Sequence, residues 1–272
     1  MTDWTWDETL FAGAATHYST GRMKYPPELA DVLREELGLD GRGRLLDVGC
    51  GPGSLTLLLA PLFEAAVGVD ADAGMVAEAA RLGAANIRWL QLRGEELPAD
   101  LGRFRVVSFA QSFHWMDQPR VAHAVRDMIE PGGAWVHIGA MTHRGGPGDE
   151  PLPLPRPPWD RIEELVAAYL GPVRRAGQGR LPGGTRGGEE DVLCEAGYRG
   201  PVRRHAGGGE VEERGVQDVV SAVFSLSSSA PHLFGDRLPD FETDLRRLLV
   251  AAADEGRFAE RRRPAEVVIW FP

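Results

Sequence analysis

The chain has 272 residues, 43% of them hydrophobic and 26% charged, with 34 glycines and 20 prolines, a balance that excludes a disordered or low-complexity chain and predicts a buried core. The formal net charge of −10 disfavours a broad cationic surface, so we expect neither nucleic acid nor a membrane as a partner. Only two cysteines, no leader pattern at the first residues and no apolar run near the length of a membrane span predict a soluble cytoplasmic protein.

The first half of the chain predicts alternating strands and helices. Residues 1–25 are aromatic and irregular, and apolar residues at helical spacing then predict a helix over 29–37, before Gly38. Ser54 and Asp72 are expected to cap two later helices. Apolar segments predict strands over 44–48, 66–70, 87–92, 104–110 and 134–140, and Pro131-Gly132-Gly133 is expected to stop the helix before the last of them. Helices between successive strands indicate a parallel sheet covered on both faces.

After residue 140 the alternation stops. Six prolines within 147–158 predict an extended connector, and the Gly- and Arg-rich segment 171–188 is expected to be disordered. Helical spacing predicts helices over 162–170, 189–196, 216–224 and 241–252, and apolar runs predict strands near 198–205 and over 265–271.

The most informative segment is a strand that turns through glycines into a helix, LLDVGCGPGS from Leu45. Such a turn lets a ligand approach the backbone at the carboxyl edge of a sheet. Gly49 and Gly51 fit the first two positions of a dinucleotide-binding Gly-x-Gly-x-x-Gly, but Ser54 takes the third. The carboxylate of Asp47 would repel a pyrophosphate and suits a ligand with an ammonium group.

A second acidic residue strengthens this interpretation. Asp70 ends the second predicted strand, 21 residues after Gly49, where its carboxylate can accept hydrogen bonds from both hydroxyls of a ribose. The glycine loop together with an upstream and a downstream aspartate is a much more specific signal than the loop alone.

With these residues in view, the sequence resembles the class I S-adenosylmethionine-dependent methyltransferases. LLDVGCGPGSLT and VGVDAD are similar to the first two motifs of that family, RGEELP to its segment after the third strand, FRVVSFAQSFHWMD to its fourth strand and loop, and MIEPGG to its L-K-P-G-G. The opening F-x3-A-x2-Y-x3-R from Phe11, with Tyr25-Pro26, is similar to a small-molecule subgroup of the methyltransferase type 11 kind. About 135 residues carry these matches.

The resemblance implies a fold and a cofactor. The fold would be Rossmann-like: a mostly parallel seven-stranded sheet with an antiparallel last strand, helices on both faces and a cap over the carboxyl edge. The cofactor would be S-adenosylmethionine, with S-adenosylhomocysteine as product. The chain would be one domain over 1–272, in which a lid (1–25), an insertion (141–190) and the loop 225–235 form the acceptor pocket.

The resemblance also implies which residues hold the methionine part of the cofactor. Backbone groups of Gly49, Gly51 and Gly53 would line it, while Asp47 and the carbonyl of Ala110 would hold its ammonium. Two further residues would close over the cofactor, Tyr18 and Arg22, the second as partner of its carboxylate.

On the nucleoside side, Asp70 would bind the ribose and Ala71 and Met75 would flank the adenine. Gly94 and Glu95 would offer hydrogen bonds to the adenine edge. Arg93 departs from the family, because many relatives have an aspartate there, so the usual contact to the adenine amino group is not predicted.

Two roles are open for His114, which follows the fourth strand beside Trp115. Both residues could form a wall of the cofactor pocket, or His114 could be a general base for an acceptor hydroxyl. Other residues could fill that role or contact the acceptor from the cap: His17, Tyr18, His143 and His232. No His and carboxylate cluster has metal-ligand spacing, so we expect no metal.

The sequence therefore predicts methyl transfer from S-adenosylmethionine to a small organic acceptor in secondary metabolism. The available histidines favour O-methylation over N- or C-methylation. A protein that binds S-adenosylmethionine but catalyses another reaction, such as a cyclisation, and a protein methyltransferase are the alternatives. The oligomeric state is left open, and Asp47 and Ser54 argue against a nicotinamide-dependent oxidoreductase.

Overall fold

The architecture comes from a computed structural model that describes residues 7, 9–148, 150–176, 179–180 and 188–272. Its helices are α1 (Ala15–Gly21), α2 (Glu28–Leu37), α3 (Ser54–Leu59), α4 (Ala73–Arg81), α5 (Gln118–Met128), α6 (Trp159–Leu170), α7 (Glu189–Glu195), α8 (Val216–Phe224) and α9 (Leu238–Ala252). Its strands are β1 (Arg44–Val48), β2 (Ala65–Asp70), β3 (Ile87–Gln91), β4 (Phe104–Ala110), β5 (Ile129–Gly139), β6 (Arg175–Ala176), β7 (Gly179–Arg180), β8 (Arg199–Ala206), β9 (Val211–Gly215), β10 (Arg257–Arg261) and β11 (Ala265–Phe271).

The main sheet of the described chain has seven strands in the order β3-β2-β1-β4-β5-β11-β8. Pairing is parallel from β3 through β5, and β11 runs antiparallel to both β5 and β8. This arrangement confirms the predicted fold class, including the antiparallel last strand. The strand order reverses between β1 and β4, and in such sheets a ligand crevice opens at the carboxyl ends of the two strands that meet there.

Both faces of the sheet are covered by helices, as its apolar strands require. In β1, Leu46 and Val48 pack into one hydrophobic cluster with α5 and α7, while Leu45 points to the other side and packs with α2 and α3. The alternation of side chains along the strand thus feeds two cores from one short segment.

A third hydrophobic cluster lies in the second half of the chain. We call this part of the molecule the cap: α6, the antiparallel pair β9–β10, and residues 216–252, which include α8, α9 and the loop between them. Val166 of α6, Val223 of α8, Phe241 of α9 and Phe258 of β10 are all buried there. The cap touches the N-terminal lid closely. A Cβ added to Gly21, at the end of α1, would lie 2.2 Å from the backbone nitrogen of Ala222 in α8.

Several local predictions were wrong, each for a tertiary or backbone reason. Residues expected to be irregular form α1, which packs on α8. Ser54 does not cap its helix, because Gly53, at φ +85°, is the N-cap and Ser54 is already helical. The segment Pro131-Gly132-Gly133 lies inside β5, and the preceding helix ends at Met128.

The pair β9–β10 was not predicted, because its strands (VEERG and RFAER) are rich in charged residues and lack a regular apolar alternation. Most of the predicted disorder over 171–188 falls outside the described residues. No helix in the described part of the chain is both long and apolar enough to cross a membrane.

Candidate functional site

A cavity of about 950 Å³, counted to its open mouth, lies at the carboxyl ends of β1 and β4. Its floor is the glycine loop after β1, and its sides are the ends of β2 and β3 and the loop after β4. Tyr18 and Arg22 of the lid and Thr142 after β5 complete the wall. The cavity therefore occupies the position that the reversal of strand order predicts.

The glycine loop is held against β2 and bends through left-handed backbone angles. The amides of Gly49 and Cys50 donate to the carbonyl of Val69 at 2.8 and 3.0 Å. Gly49 has φ +70° and Gly51 φ +55°, conformations that L side chains rarely adopt. A Cβ on Gly49 would lie 2.4 Å from that of Ser112, whereas one on Gly51 would meet nothing within 4 Å. Gly51 thus leaves its backbone open toward the cavity.

Asp47 lies fully buried at the floor of the cavity. Its two carboxylate oxygens accept hydrogen bonds from the hydroxyls of Thr56 at 2.6 Å and Ser108 at 2.8 Å. Burial raises the pKa of Asp47 to about 6, and the hydrogen bonds oppose that rise. The carboxylate is fixed in place, and a cation beside it would be strongly favoured.

Asp70 joins the glycine loop to the start of α4. One oxygen accepts the amide of Gly51 at 2.8 Å, and the other accepts the amide of Asp72 at 2.9 Å. Burial raises the pKa of Asp70 to about 6. Since each carboxylate oxygen can accept two hydrogen bonds, one further acceptor position on each remains for a pair of adjacent hydroxyls. Asp72 also caps α4, as predicted, by accepting the amide of Met75 at 2.9 Å.

The side of the cavity formed by the start of α4 and the segment after β3 is closely packed. Ala71, Met75, Gly94 and Glu95 line it. A Cβ on Gly94 would lie 2.7 Å from the sulfur of Met116, so a larger residue there would displace the Met116 side chain. The carboxylate of Glu95 accepts the amide of Asp117 at 2.8 Å, which ties it to the loop after β4.

The lid residues are anchored to the cap. The guanidinium of Arg22 donates through Nε to the hydroxyl of Ser225 at 2.8 Å and through Nη2 to the Ser225 carbonyl at 3.1 Å. Its Nη1 lies 3.4 Å from the hydroxyl of Thr142, and its carbon lies 4.4 Å from the centre of the Tyr18 ring. The first residues of the predicted insertion and cap loop thus meet the lid at one guanidinium group.

Comparison with known proteins identifies what this cavity belongs to. Residues 45–133 match the family model described as a methyltransferase domain. This segment of the chain is a methyltransferase domain. The matched segment includes the glycine loop and Asp70, and a relative of this segment is named as S-adenosylmethionine-dependent. This implies S-adenosylmethionine as the methyl donor of the domain, with S-adenosylhomocysteine as product.

Curated relatives cover only part of this chain. The chain is 27% identical over 134 residues to a candidate S-adenosylmethionine-dependent methyltransferase of Saccharomyces cerevisiae, which covers 46% of this chain and 45% of that protein. It is 31% identical over 156 residues to the malonyl-acyl-carrier-protein O-methyltransferase of Enterobacter lignolyticus, covering 57% and 58%. The chain thus spans about half the length of these two relatives.

Solved structures share the fold over nearly the whole chain. A candidate type II methyltransferase from Anaeromyxobacter dehalogenans aligns with a TM-score of 0.51 at 18% identity, covering 92% of this chain and 94% of that one. The cyclase SpnF aligns with a TM-score of 0.50 at 15% identity, covering 94% and 90%. At these identities the likeness concerns the fold alone.

The cavity of the methyltransferase domain has the charge, the hydrogen-bond acceptors and the space that suit S-adenosylmethionine. Asp47 offers a buried negative charge to an ammonium, Asp70 offers two acceptors to a ribose, and the open side of Gly51 leaves space against the backbone. Ala110 lines the cavity beside them. Gly53 is the exception, because it lies off the cavity wall: a Cβ there would lie 2.5 Å from the ring of Trp89, so this glycine serves packing behind the loop.

His114 does not line the cavity. It lies in a short 3₁₀ helix, Phe113–Trp115, and burial, with a smaller effect of His137, lowers its pKa to about 4. Trp115 does line the cavity and packs edge-to-face on Phe11 of the lid, with ring centres 5.6 Å apart. The wall role is therefore supported for Trp115, while the general-base role loses its geometric basis for His114.

The three other candidate histidines also lie off the cavity wall. His17 has its Nδ1 3.4 Å from the hydroxyl of Ser221. His143 packs on Trp159, and burial together with nearby arginines lowers its pKa to about 2. His232 is exposed on the cap. The sequence shows to which segment each of these residues belongs, but it does not show which way the rings point.

Sequence reasoning missed several lining residues. Tyr25 and Thr142 line the lid side, and Gln111 and Ser112 line the loop after β4. The hydroxyl of Ser112 donates to the carbonyl of Val48 at 2.6 Å and so joins the ends of β1 and β4. Tyr25 belongs to the opening motif that resembles the small-molecule subgroup, and this motif is a usable signal for a residue of the site. Thr142 had none, since only the folded lid brings it to Arg22.

Proposed function

We propose that the protein transfers the methyl group of S-adenosylmethionine to an oxygen atom of a small organic acceptor. The observation that carries this proposal is the cavity in which Asp47 and Asp70 flank an open glycine loop. Two aspartates held by hydrogen bonds, one for an ammonium and one for a ribose, fit this cofactor and fit a nicotinamide dinucleotide poorly.

The roles of the residues follow from their contacts. Asp70 binds the ribose hydroxyls, Asp47 attracts the ammonium and Arg22 faces the carboxylate of the methionine part. When bound, S-adenosylmethionine supplies an electrophilic methyl group on a sulfonium. Because displacement at that methyl needs alignment and exclusion of water, the work of this chain is to hold the two reactants and close the lid over them. Trp115 and Phe11 supply the apolar cover.

Two observations support oxygen as the methylated atom. The lid side of the cavity carries the hydroxyls of Tyr18, Tyr25 and Thr142, which can bond to an oxygen acceptor. A relative that is 31% identical is named for O-methylation of a malonyl group. Residues 1–25, 141–190 and 225–235 would form the acceptor side in a single-domain enzyme, since Arg22 joins Thr142 and Ser225 there. The small-molecule subgroup favours a place in metabolite biosynthesis.

The test is binding followed by turnover. We expect calorimetric titration to show binding of S-adenosylmethionine and S-adenosylhomocysteine and none of NADH. With a cytoplasmic small-molecule extract, S-adenosylhomocysteine should then accumulate in step with a metabolite that gains one methylene. Asp70→Asn should lower both signals, and the exposed Asp40→Asn should leave them unchanged.

The other outcomes point to other functions. Product formation without S-adenosylhomocysteine would indicate a non-methylating reaction such as a cyclisation. When a whole-cell extract replaces the small-molecule extract, label from methyl-labelled S-adenosylmethionine in the protein fraction alone would indicate a protein methyltransferase. Binding of NADH alone would contradict the proposal entirely.

A further inference from the structure

A buried ion pair lies on the antiparallel strand pair β9–β10 of the cap. The guanidinium of Arg214 and the carboxylate of Glu260 are 2.7 Å apart, and each side chain is only 3% exposed. Removing two charges from water is expensive and often offsets their attraction, so a buried pair is weak evidence for stability by itself. Its place in the fold therefore calls for another account.

The pair is fully engaged in hydrogen bonds to other segments. Arg214 donates to the carbonyls of Gly21 at 2.6 Å, His143 at 2.9 Å and Asp218 at 3.1 Å. Gly21 ends the lid helix α1, His143 follows β5 and Asp218 lies in α8. One guanidinium group thus joins the lid, the sheet and the cap.

Glu260 completes this junction from the other side. Its second carboxylate oxygen accepts the amide of Gly145 at 2.7 Å and the indole N–H of Trp159 at 2.8 Å. The carboxylate therefore fixes the segment after β5 and the start of α6, while its first oxygen orients the guanidinium of Arg214.

The junction meets the cofactor site through the end of the lid helix. Gly21 packs on the backbone of α8 with no room for a Cβ, and the next residue is Arg22. The amide of Met23 donates to the carbonyl of Thr142 at 2.8 Å. The backbone on both sides of Arg22 is thus fixed, and Arg214 holds the carbonyl immediately before it.

We propose that Arg214, oriented by Glu260, is a positioning residue of the cofactor site: it fixes the end of the lid helix so that Arg22 faces the carboxylate of the cofactor. This inference rests on the proposed function, since it assumes that the cavity binds S-adenosylmethionine. Neither member of the pair lines the cavity, so the action is through Arg22.

The test compares two ligands that differ in one part. S-adenosylhomocysteine carries the amino-acid group, and methylthioadenosine lacks it. In Arg214→Lys the ammonium keeps the positive charge beside Glu260 but cannot reach all four partners of the planar guanidinium. We expect the dissociation constant of S-adenosylhomocysteine to rise about tenfold, while that of methylthioadenosine changes less than about twofold.

The strand pair β9–β10 also offers a matched control. Arg257 pairs with Glu213 at 3.0 Å on the same two strands, but both side chains are about half exposed, 50% and 56%. Arg257→Lys should leave both dissociation constants unchanged. Should Arg214→Lys fail to fold, Glu260→Gln serves as the second variant. Its amide oxygen can still accept hydrogen bonds from Gly145 and Trp159, while the negative charge beside Arg214 is lost.

Coupling to Arg22 separates positioning from general support of the fold. In an Arg22→Ala background, adding Arg214→Lys should not weaken S-adenosylhomocysteine further, because the two residues act on one contact. Additive losses, equal losses for both ligands, or no loss would overturn the positioning role and leave the proposed function standing. Absence of binding of either ligand to the unaltered protein would overturn both.

Discussion

At the scale of single residues, two carboxyls are expected to set how the affinity of the cavity for its ligand changes with pH. Asp47 is buried and Asp70 is half-buried. Burial raises the pKa values of Asp47 and Asp70 to about 6, from an ordinary value of 3.8. In the proposed function, Asp47 attracts the ammonium of the cofactor and Asp70 accepts hydrogen bonds from its ribose hydroxyls. Their ionisation is therefore linked to cofactor binding. In the ligand-free protein, burial makes the ionised form of each carboxyl less favourable.

We predict that S-adenosylhomocysteine binds more weakly in mild acid. Below about pH 6 both carboxyls take up protons, and the negative charge opposite the ammonium disappears. Between pH 7.5 and 5 the dissociation constant should rise about 10- to 100-fold, since each carboxyl that must ionise contributes up to about tenfold per pH unit. Calorimetric titration at several pH values measures this. Asp47→Asn should flatten the dependence, and a dissociation constant that is constant over this range would contradict the assignment of both residues.

The same shifts set the sign of their effect on the stability of the ligand-free protein. Because the folded pKa values lie above 3.8, the folded protein holds more protons than the unfolded chain between about pH 4 and 6. These two groups therefore make the free energy of unfolding fall as pH rises through that window. A bound ammonium would counteract that fall above pH 6.

At the scale of elements, the glycine loop after β1 combines two constraints that can be separated. Gly51 has φ +55° and lines the cavity, while Gly38 has φ +58° and ends α2 at the surface. A Cβ at either position would meet nothing within 4 Å. The two glycines thus share the same backbone strain, but only one lies beside the ligand.

We predict that Gly51→Ala and Gly38→Ala cost similar stability and differ in binding. Each should lower the free energy of unfolding by about 1–2 kcal/mol, the cost of a left-handed conformation with a Cβ. Only Gly51→Ala should weaken S-adenosylhomocysteine, by more than about tenfold, because its methyl group enters space that the ligand needs. Denaturant unfolding and calorimetry measure the two effects. Equal affinity of the two variants would show that the ligand does not approach Gly51.

The elements that could be predicted from sequence are those whose signal is local. β1 and β4 were predicted with their observed bounds, since buried parallel strands are short apolar runs between turn residues. The helix α1 and the pair β9–β10 were missed, because distant contacts stabilise them. Gly21 rests on α8, and Arg214 of β9 is paired with Glu260 of β10.

The site divides along the same line. Gly49, Gly51, Asp47 and Asp70 belong to short motifs in which spacing along the chain fixes position in space, so they could be predicted. Orientation could not be predicted for the histidines, because the direction of a ring depends on its packing. His143, for example, turns to Trp159 instead of the cavity.

At the scale of the whole molecule, the lid connects the sheet to the cap. Arg22 reaches Ser225 of the cap and Thr142 after β5, and Arg214 holds Gly21 of the lid. A ligand clamped between sheet and lid should therefore stabilise both hydrophobic regions together. This expectation accords with the proposal that residues 1–272 form one domain.

We predict one cooperative thermal transition that S-adenosylhomocysteine moves upward as a unit. At a free concentration about 100 times its dissociation constant, the ligand adds about 2.7 kcal/mol. For a chain of this size that amounts to a rise of about 5–10 °C in the midpoint, because each kcal/mol shifts it by about 2–4 °C. Differential scanning calorimetry measures this, with NADH as the control that should leave the midpoint unchanged. Two transitions, of which the ligand moves only one, would contradict the single domain and place the cap outside the unit that binds the cofactor.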